Sequence, residues 1–133
     1  CSVLVFGQAP ISSKLYAKDL KLANTAFETE DYLNAITLYK KVLAIDPNHE
    51  KANLNSIISR LKLNQAPDSS LQYLFKLKKS TSPEVQFYFG RIYHQTGNFE
   101  EALKCYNNYK NINPNSNVLF FINLLFLHLL IGP

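Results

Sequence analysis

Carboxylates, imidazoles and thiols are the groups through which this chain could act on a substrate. Glu28, Glu30 and Asp31 lie within four residues, close enough to share a proton or a cation. They stand between two stretches of helical periodicity, where Asp31 suits an N-cap, so a solvated turn explains them better than an acid/base pair. Glu100 and Glu101 fall in the first turn of a helix, where carboxylates complement the helix dipole. His49, His94 and His128 stand singly, with no second ligand at metal-site spacing. Cys1 and Cys105 lie on distant segments and cannot form a structural zinc site. Cys105, between Lys104 and Tyr106, reads as a small buried residue. Gly7, Gly90, Gly97 and Gly132 are dispersed, and no Gly-Lys-Ser/Thr follows any of them, so there is no phosphate loop. No nucleophile has a base beside it. These patterns lead us to expect no enzyme, no catalytic residue, no metal and no cofactor.

Composition narrows the alternatives. A chain of 133 residues, 47% hydrophobic and 18% charged, can bury a core and falls outside the disordered class. The aromatic share of 13%, with eight Tyr and nine Phe, fits packing between helices better than ligand stacking. The net charge is +4, but the basic residues are scattered apart from Lys40-Lys41 and Lys76, Lys78 and Lys79. Such groups usually sit on solvated faces, and we expect no nucleic-acid partner.

The elements that would carry these residues are helices. Tyr16, Leu20, Ala23 and Phe27 recur at helical spacing, as do Tyr32, Ala35, Ile36, Tyr39, Val42 and Leu43. Asp31 and Asn98 are expected N-caps, Asn98 with Glu101 as a reciprocal pair. Ser82-Pro83 reads as an N-cap followed by proline at the first helical position. Pro47 and Pro114 mark places where a helix has already ended. No segment alternates with period two for long enough to suggest a sheet.

The run Phe89-Gly90-Arg91-Ile92-Tyr93-His94-Gln95-Thr96-Gly97-Asn98-Phe99-Glu100-Glu101-Ala102-Leu103-Lys104-Cys105-Tyr106, closed by Asn113-Pro114, reads as helix, tight turn, helix and stop. Gly90 and Ala102 are small where two helices would touch; Tyr93, Phe99 and Tyr106 are large where they would fill space. The run from Asp31 to Val42, closed by Asp46-Pro47, repeats its second half, with Ala35 for Ala102, Tyr32 for Phe99 and Tyr39 for Tyr106. The two closing prolines stand 67 residues apart, one short of two periods of about 34. The chain thus resembles the tetratricopeptide repeat (TPR) family over residues 14–116, with units at about 16–49, 50–82 and 83–116. The middle unit is degenerate: Lys51 to Asn64 and Pro67 to Lys79 are its expected helices, its turn lacks a glycine, and Ser69 and Ser70 stand near the alanine position.

The resemblance implies an all-α fold, an α-solenoid of about three helix-turn-helix units plus an apolar C-terminal helix. It implies a concave groove, lined by the first helix of each unit, that holds a peptide or helix of a partner protein. Carried onto this chain, the groove residues are Asn24, Phe27, Leu54, Asn55, Ile58, Phe87, Arg91 and His94. Arg91 suggests a carboxylate-bearing segment. The chaperone-binding subgroup uses a carboxylate clamp of lysine, asparagine and arginine. Asn24 and Asn55 match two of its positions, but Leu20, Glu84 and Tyr88 replace the basic ones, which argues against a chaperone's acidic C-terminus.

Both ends depart from a plain repeat. Cys1 to Pro10 is apolar and then small, like the end of a secretory signal peptide cleaved after Gly7. The alternatives are a lipidated Cys1 or an apolar tail packed on the first unit, residues 1–13. The first two imply export, and together with the repeats they resemble the TPR module of Gram-negative envelope proteins, in the periplasm or outer membrane. Val118 to Ile131 is apolar except for Asn123 and His128, and is too short to span a bilayer. It stands where a fourth unit would begin, in residues 117–133. We expect it to pack one face on the Phe99–Lys110 helix and to expose the other, to further chain, to a partner, to a second copy through residues 118–131, or to a membrane. The leading expectation is a non-enzymatic scaffold. An oligomerisation or anchoring module acting through the C-terminal helix, and a regulatory fragment of a larger enzyme, remain the alternatives.

Overall fold

The computed structural model describes residues 12–66 and 68–131. The apolar N-terminal run with Cys1 and the Gly7 cleavage point, the turn residue Pro67 and the terminal Gly132-Pro133 lie outside them. A short 3-10 turn (Ser13–Leu15) leads into α1 (Ala17–Glu28), α2 (Tyr32–Ile45), α3 (Glu50–Lys62), α4 (Asp68–Lys76), α5 (Pro83–Gln95), α6 (Phe99–Ile112) and α7 (Val118–Ile131). Among the described residues there is no strand. The helices pack as antiparallel pairs, α1 with α2, α3 with α4, and α5 with α6, and α7 lies on α6.

The pairs form because small residues let their axes approach. Ala23 and Ala35 are fully buried in the first pair, and Ala102 faces α5 in the third. At Gly90 the helices are so close that a Cβ would lie 2.6 Å from Cε1 of Tyr106. Tyr39 and Tyr106, both fully buried, fill the equivalent gaps beside these contacts. Helix ends follow the sequence in part. Asp31 accepts a bond from the Asn34 N–H at 3.3 Å, and Ser82 and Pro83 open α5. The reciprocal cap expected of Asn98 and Glu101 does not form: Asn98 holds the N-cap position without a side-chain bond, and Glu101 turns outward to Lys104 at 2.9 Å. An unforeseen cap opens α3, where His49 Nδ1 accepts from the Ala52 N–H at 3.1 Å.

All three turns close alike. Glu30, Asn64 and Gly97 occupy the same repeat position, and each has a positive φ, of 62°, 53° and 79°. Each donates its N–H three residues back, and its successor donates five residues back, as from Asp31 to Ala26, Gln65 to Arg60 and Asn98 to Tyr93. The middle turn therefore needs no glycine, since asparagine tolerates this left-handed conformation. A Cβ at Gly97 would meet nothing within 4 Å. Gly97→Ala is thus expected to lower stability by about 1 kcal/mol through backbone strain alone. Glu30→Gly should do the reverse on a smaller scale, and urea melts of the two variants check the pair.

The middle unit departs from its neighbours in identifiable ways. α4 has 9 residues where α2 and α6 have 14, and it ends at Lys76 rather than Lys79. The shortfall lies at the end of the second helix; the turn before it, from Lys62 to Asp68, is longer than in the outer units. Ser70, 2% exposed, takes the place of the small alanine. Arg60 stands where Tyr93 stands in the third unit, its guanidinium 5.0 Å from the Tyr73 ring centroid and bonded to Tyr73 Oη and Gln65 Oε1. α3, buried from Ala52 through Leu61, is the central helix of the stack. The backbones of α4 and α5 approach one another far less than those of α2 and α3 or of α6 and α7. Side chains such as Leu77, Val85 and Phe89 bridge that seam.

α7 meets its expectation. Val118, Ile122 and Leu125 are buried against Phe87, Ala102 and Tyr106, while Phe120, Leu130 and Ile131 face outward.

Candidate functional site

The first helices of the three units line a groove of about 530 Å³. Phe27 of α1 and Leu54 of α3 give it an apolar floor, and Asn24 and Asn55 stand beside them. Glu28, Glu50 and Glu84 form its exposed edge, together with Lys51. A second depression, of about 510 Å³, shares Asn24 and Glu28 and runs along α1 past Tyr16 and Leu20.

Tyr39 reaches the groove from behind, on α2, and orients both asparagines. Asn55 Nδ2 donates to Tyr39 Oη at 2.8 Å, and the Tyr39 hydroxyl donates to Asn24 Oδ1 at 2.7 Å. Burial is the main reason that the Tyr39 pKa is raised, and Glu28 adds to it, so the phenol keeps the proton it donates. Among the described residues the relay leaves the Asn24 amide N–H groups and the Asn55 side-chain carbonyl without a partner. One donor and one acceptor are what an extended peptide backbone requires.

Of the eight groove residues implied by the sequence, Asn24, Phe27, Leu54 and Asn55 line this groove. The other four are engaged elsewhere. Ile58 is 5% exposed and lies in the core between the middle and third units. Phe87 packs among Tyr106, Tyr109 and Phe121. The Arg91 guanidinium lies 4.5 Å from the centroid of the Phe121 ring. His94 Nε2 is 2.7 Å from His128 Nδ1, and its Nδ1 is 3.2 Å from Tyr106 Oη. For Phe87, Arg91 and His94 the cause is α7, because Phe121 and His128 reach the side of α5 that the repeat register assigns to a ligand. Arg91 therefore stands over Phe121 and outside this groove. The three glutamates were legible as charges but not as neighbours, since they come from three helices.

The histidines also correct the sequence reading, in which each stood alone. Burial pushes the Tyr106 hydroxyl pKa up, so it keeps its proton, and His94 links it to His128 with donor and acceptor roles set by the tautomer. Among the described residues no group of three or more His, Cys, Asp or Glu side chains could hold a metal ion. Burial first, then the neighbouring His128 and Arg91, hold the His94 pKa below its ordinary value. The unfolded chain then takes up the proton before the folded one as pH falls through about 6.5. The thermal midpoint should be lower at pH 5.5 than at pH 7.5, and the difference should shrink in His94→Asn. An equal difference in parent and variant would exclude this network as the cause. Cys105 is buried, which pushes its thiol up to about 11, so it stays protonated and inert. No described helix is long and apolar enough to cross a membrane.

Residues 83–116 and residues 20–49 each match the tetratricopeptide repeat family. The first and third units are tetratricopeptide repeats. The whole TPR fold is similar to the solved first TPR of Spaghetti (RPAP3) bound to the HSP90 peptide SRMEEVD. The TM-score is 0.70 and the sequence identity 17%, over 90% of this chain and 96% of that one. At that identity the likeness is one of fold. No curated protein matches the chain.

Proposed function

We propose that this protein is a non-enzymatic scaffold that binds an extended segment of a partner protein in the groove of α1, α3 and α5. The observation that carries this reading is the Asn55–Tyr39–Asn24 relay, which fixes two amides beside an apolar floor before any partner arrives. A peptide-bound solved neighbour of the same fold supports it. Peptides selected from a displayed library should lose affinity by about tenfold on Asn24→Ala or Leu54→Ala, with the helical circular-dichroism signal retained. Undiminished binding by both variants would move the site off the groove.

A second reading is favoured by α7, which exposes Leu119, Phe120, Phe126, Leu130 and Ile131 on one short helix. An apolar patch of this kind marks an assembly surface. Sedimentation of the parent and of Phe120→Glu tests it: a concentration-dependent oligomer lost in the variant would support assembly. We propose a bacterial-envelope location from the signal-like run Cys1 to Pro10 taken together with the repeats, and cell fractionation of the tagged protein tests it.

A further inference from the structure

We infer that the groove selects a cationic segment, one that places lysine or arginine against Glu28, Glu50 and Glu84 while an apolar side chain covers Phe27 and Leu54. This rests on the groove being the binding surface and adds the chemistry of what it takes.

The first argument is the distribution of charge. The chain has 14 Lys and Arg against 10 Asp and Glu, yet the groove holds three glutamates and only Lys51 of opposite sign. The second is that these carboxylates are unneutralised. The ion pairs among the described residues are those of Lys104 with Glu100 and Glu101, at the far end of the molecule. Glu50 instead accepts a bond from the Ser80 hydroxyl at 2.9 Å, which holds it in place without cancelling its charge. The third is that local structure does not account for the set. Glu50 and Glu84 stand in the first turns of α3 and α5, where a carboxylate favours the helix dipole. Glu28 is the last residue of α1, where a carboxylate opposes it. The fourth comes from Asn55, which is 6% exposed and lines the groove. Its Nδ2 is committed to Tyr39, and its Oδ1 has no partner among the described residues. Asn55 Oδ1 is thus an acceptor open to the groove, which a lysine or arginine N–H can bond.

Two fluorescein-labelled heptapeptide pools of equal apolar content provide the test, one with Lys and Arg at its variable positions and the other with Asp and Glu. Anisotropy should show the basic pool binding about tenfold tighter, with the margin narrowing as salt is raised. The double variant Glu28→Gln/Glu84→Gln should abolish most of that preference. Equal or tighter binding of the acidic pool, or an unchanged preference in the double variant, would overturn the inference. Leu54→Ala separates the two levels of the argument. If it weakens an acidic pool that binds better, the groove stands and the charge assignment falls. If it affects neither pool, the groove reading falls and the inference with it.

Discussion

Gly90→Leu is expected to destabilise the protein by ~1–3 kcal/mol, the usual cost of forcing extra carbons into a packed core. The first of those carbons already fails to fit. A Cβ at this position would stand 2.6 and 2.7 Å from two ring carbons of Tyr106 and 3.2 Å from Cys105 Cβ. The ring cannot swing aside cheaply, because it is fully buried and its hydroxyl is bonded to His94. Gly90→Ala should therefore act in the same direction with a smaller effect. The first unit shows what sets the cost: Ala23 occupies the equivalent position beside Tyr39 and is simply buried there. Urea unfolding of both variants measures the effect. Midpoints equal to that of the parent would mean that α5 and α6 do not meet as described.

Leu125→Ala should cost about 2–5 kcal/mol, the range for truncating a fully buried leucine. Leu125 is completely enclosed by the third unit, whereas Leu130, on the same helix, is 85% exposed. Leu130→Glu should therefore leave the unfolding free energy within about 0.5 kcal/mol of the parent and raise solubility. The contrast is the informative part. If both substitutions unfold the domain, α7 is internal core on every side; if neither does, it is not docked.

The outer units were legible because their signals are local and steric. Gly90, Ala102 and Ala35 mark close approaches, Asp31 caps, and Pro47 and Pro114 stop. The middle unit was legible mainly through spacing, since Arg60 and Ser70 solve its packing with polar side chains that no apolar pattern announces. Its turn could have been read from Asn64, a residue that tolerates the left-handed conformation Gly97 adopts. At the site, repeat register was enough for Asn24, Phe27, Leu54 and Asn55. It was not enough for Phe87, Arg91 and His94, because register says which way a side chain points but not what a later helix lays over it. Phe121 and His128 decide that, and their packing is tertiary. Tyr39 was legible as a core aromatic, but its bonds to two asparagines from different helices were not.

The backbones of α4 and α5 approach sparsely, so the side-chain core around Leu77, Val85 and Phe89 is what joins the two sides of that seam. In a linear array each unit is stabilised by its neighbours, so the thinnest junction sets where concerted unfolding breaks into blocks. The blocks expected here are α1 to α4 and α5 to α7. Amide exchange should resolve two protection classes that meet between Lys76 and Pro83. The groove crosses that junction, with Glu50 on one side and Glu84 on the other. An occupant that touches both would act as a tie between the blocks, and the bound protein would open as one.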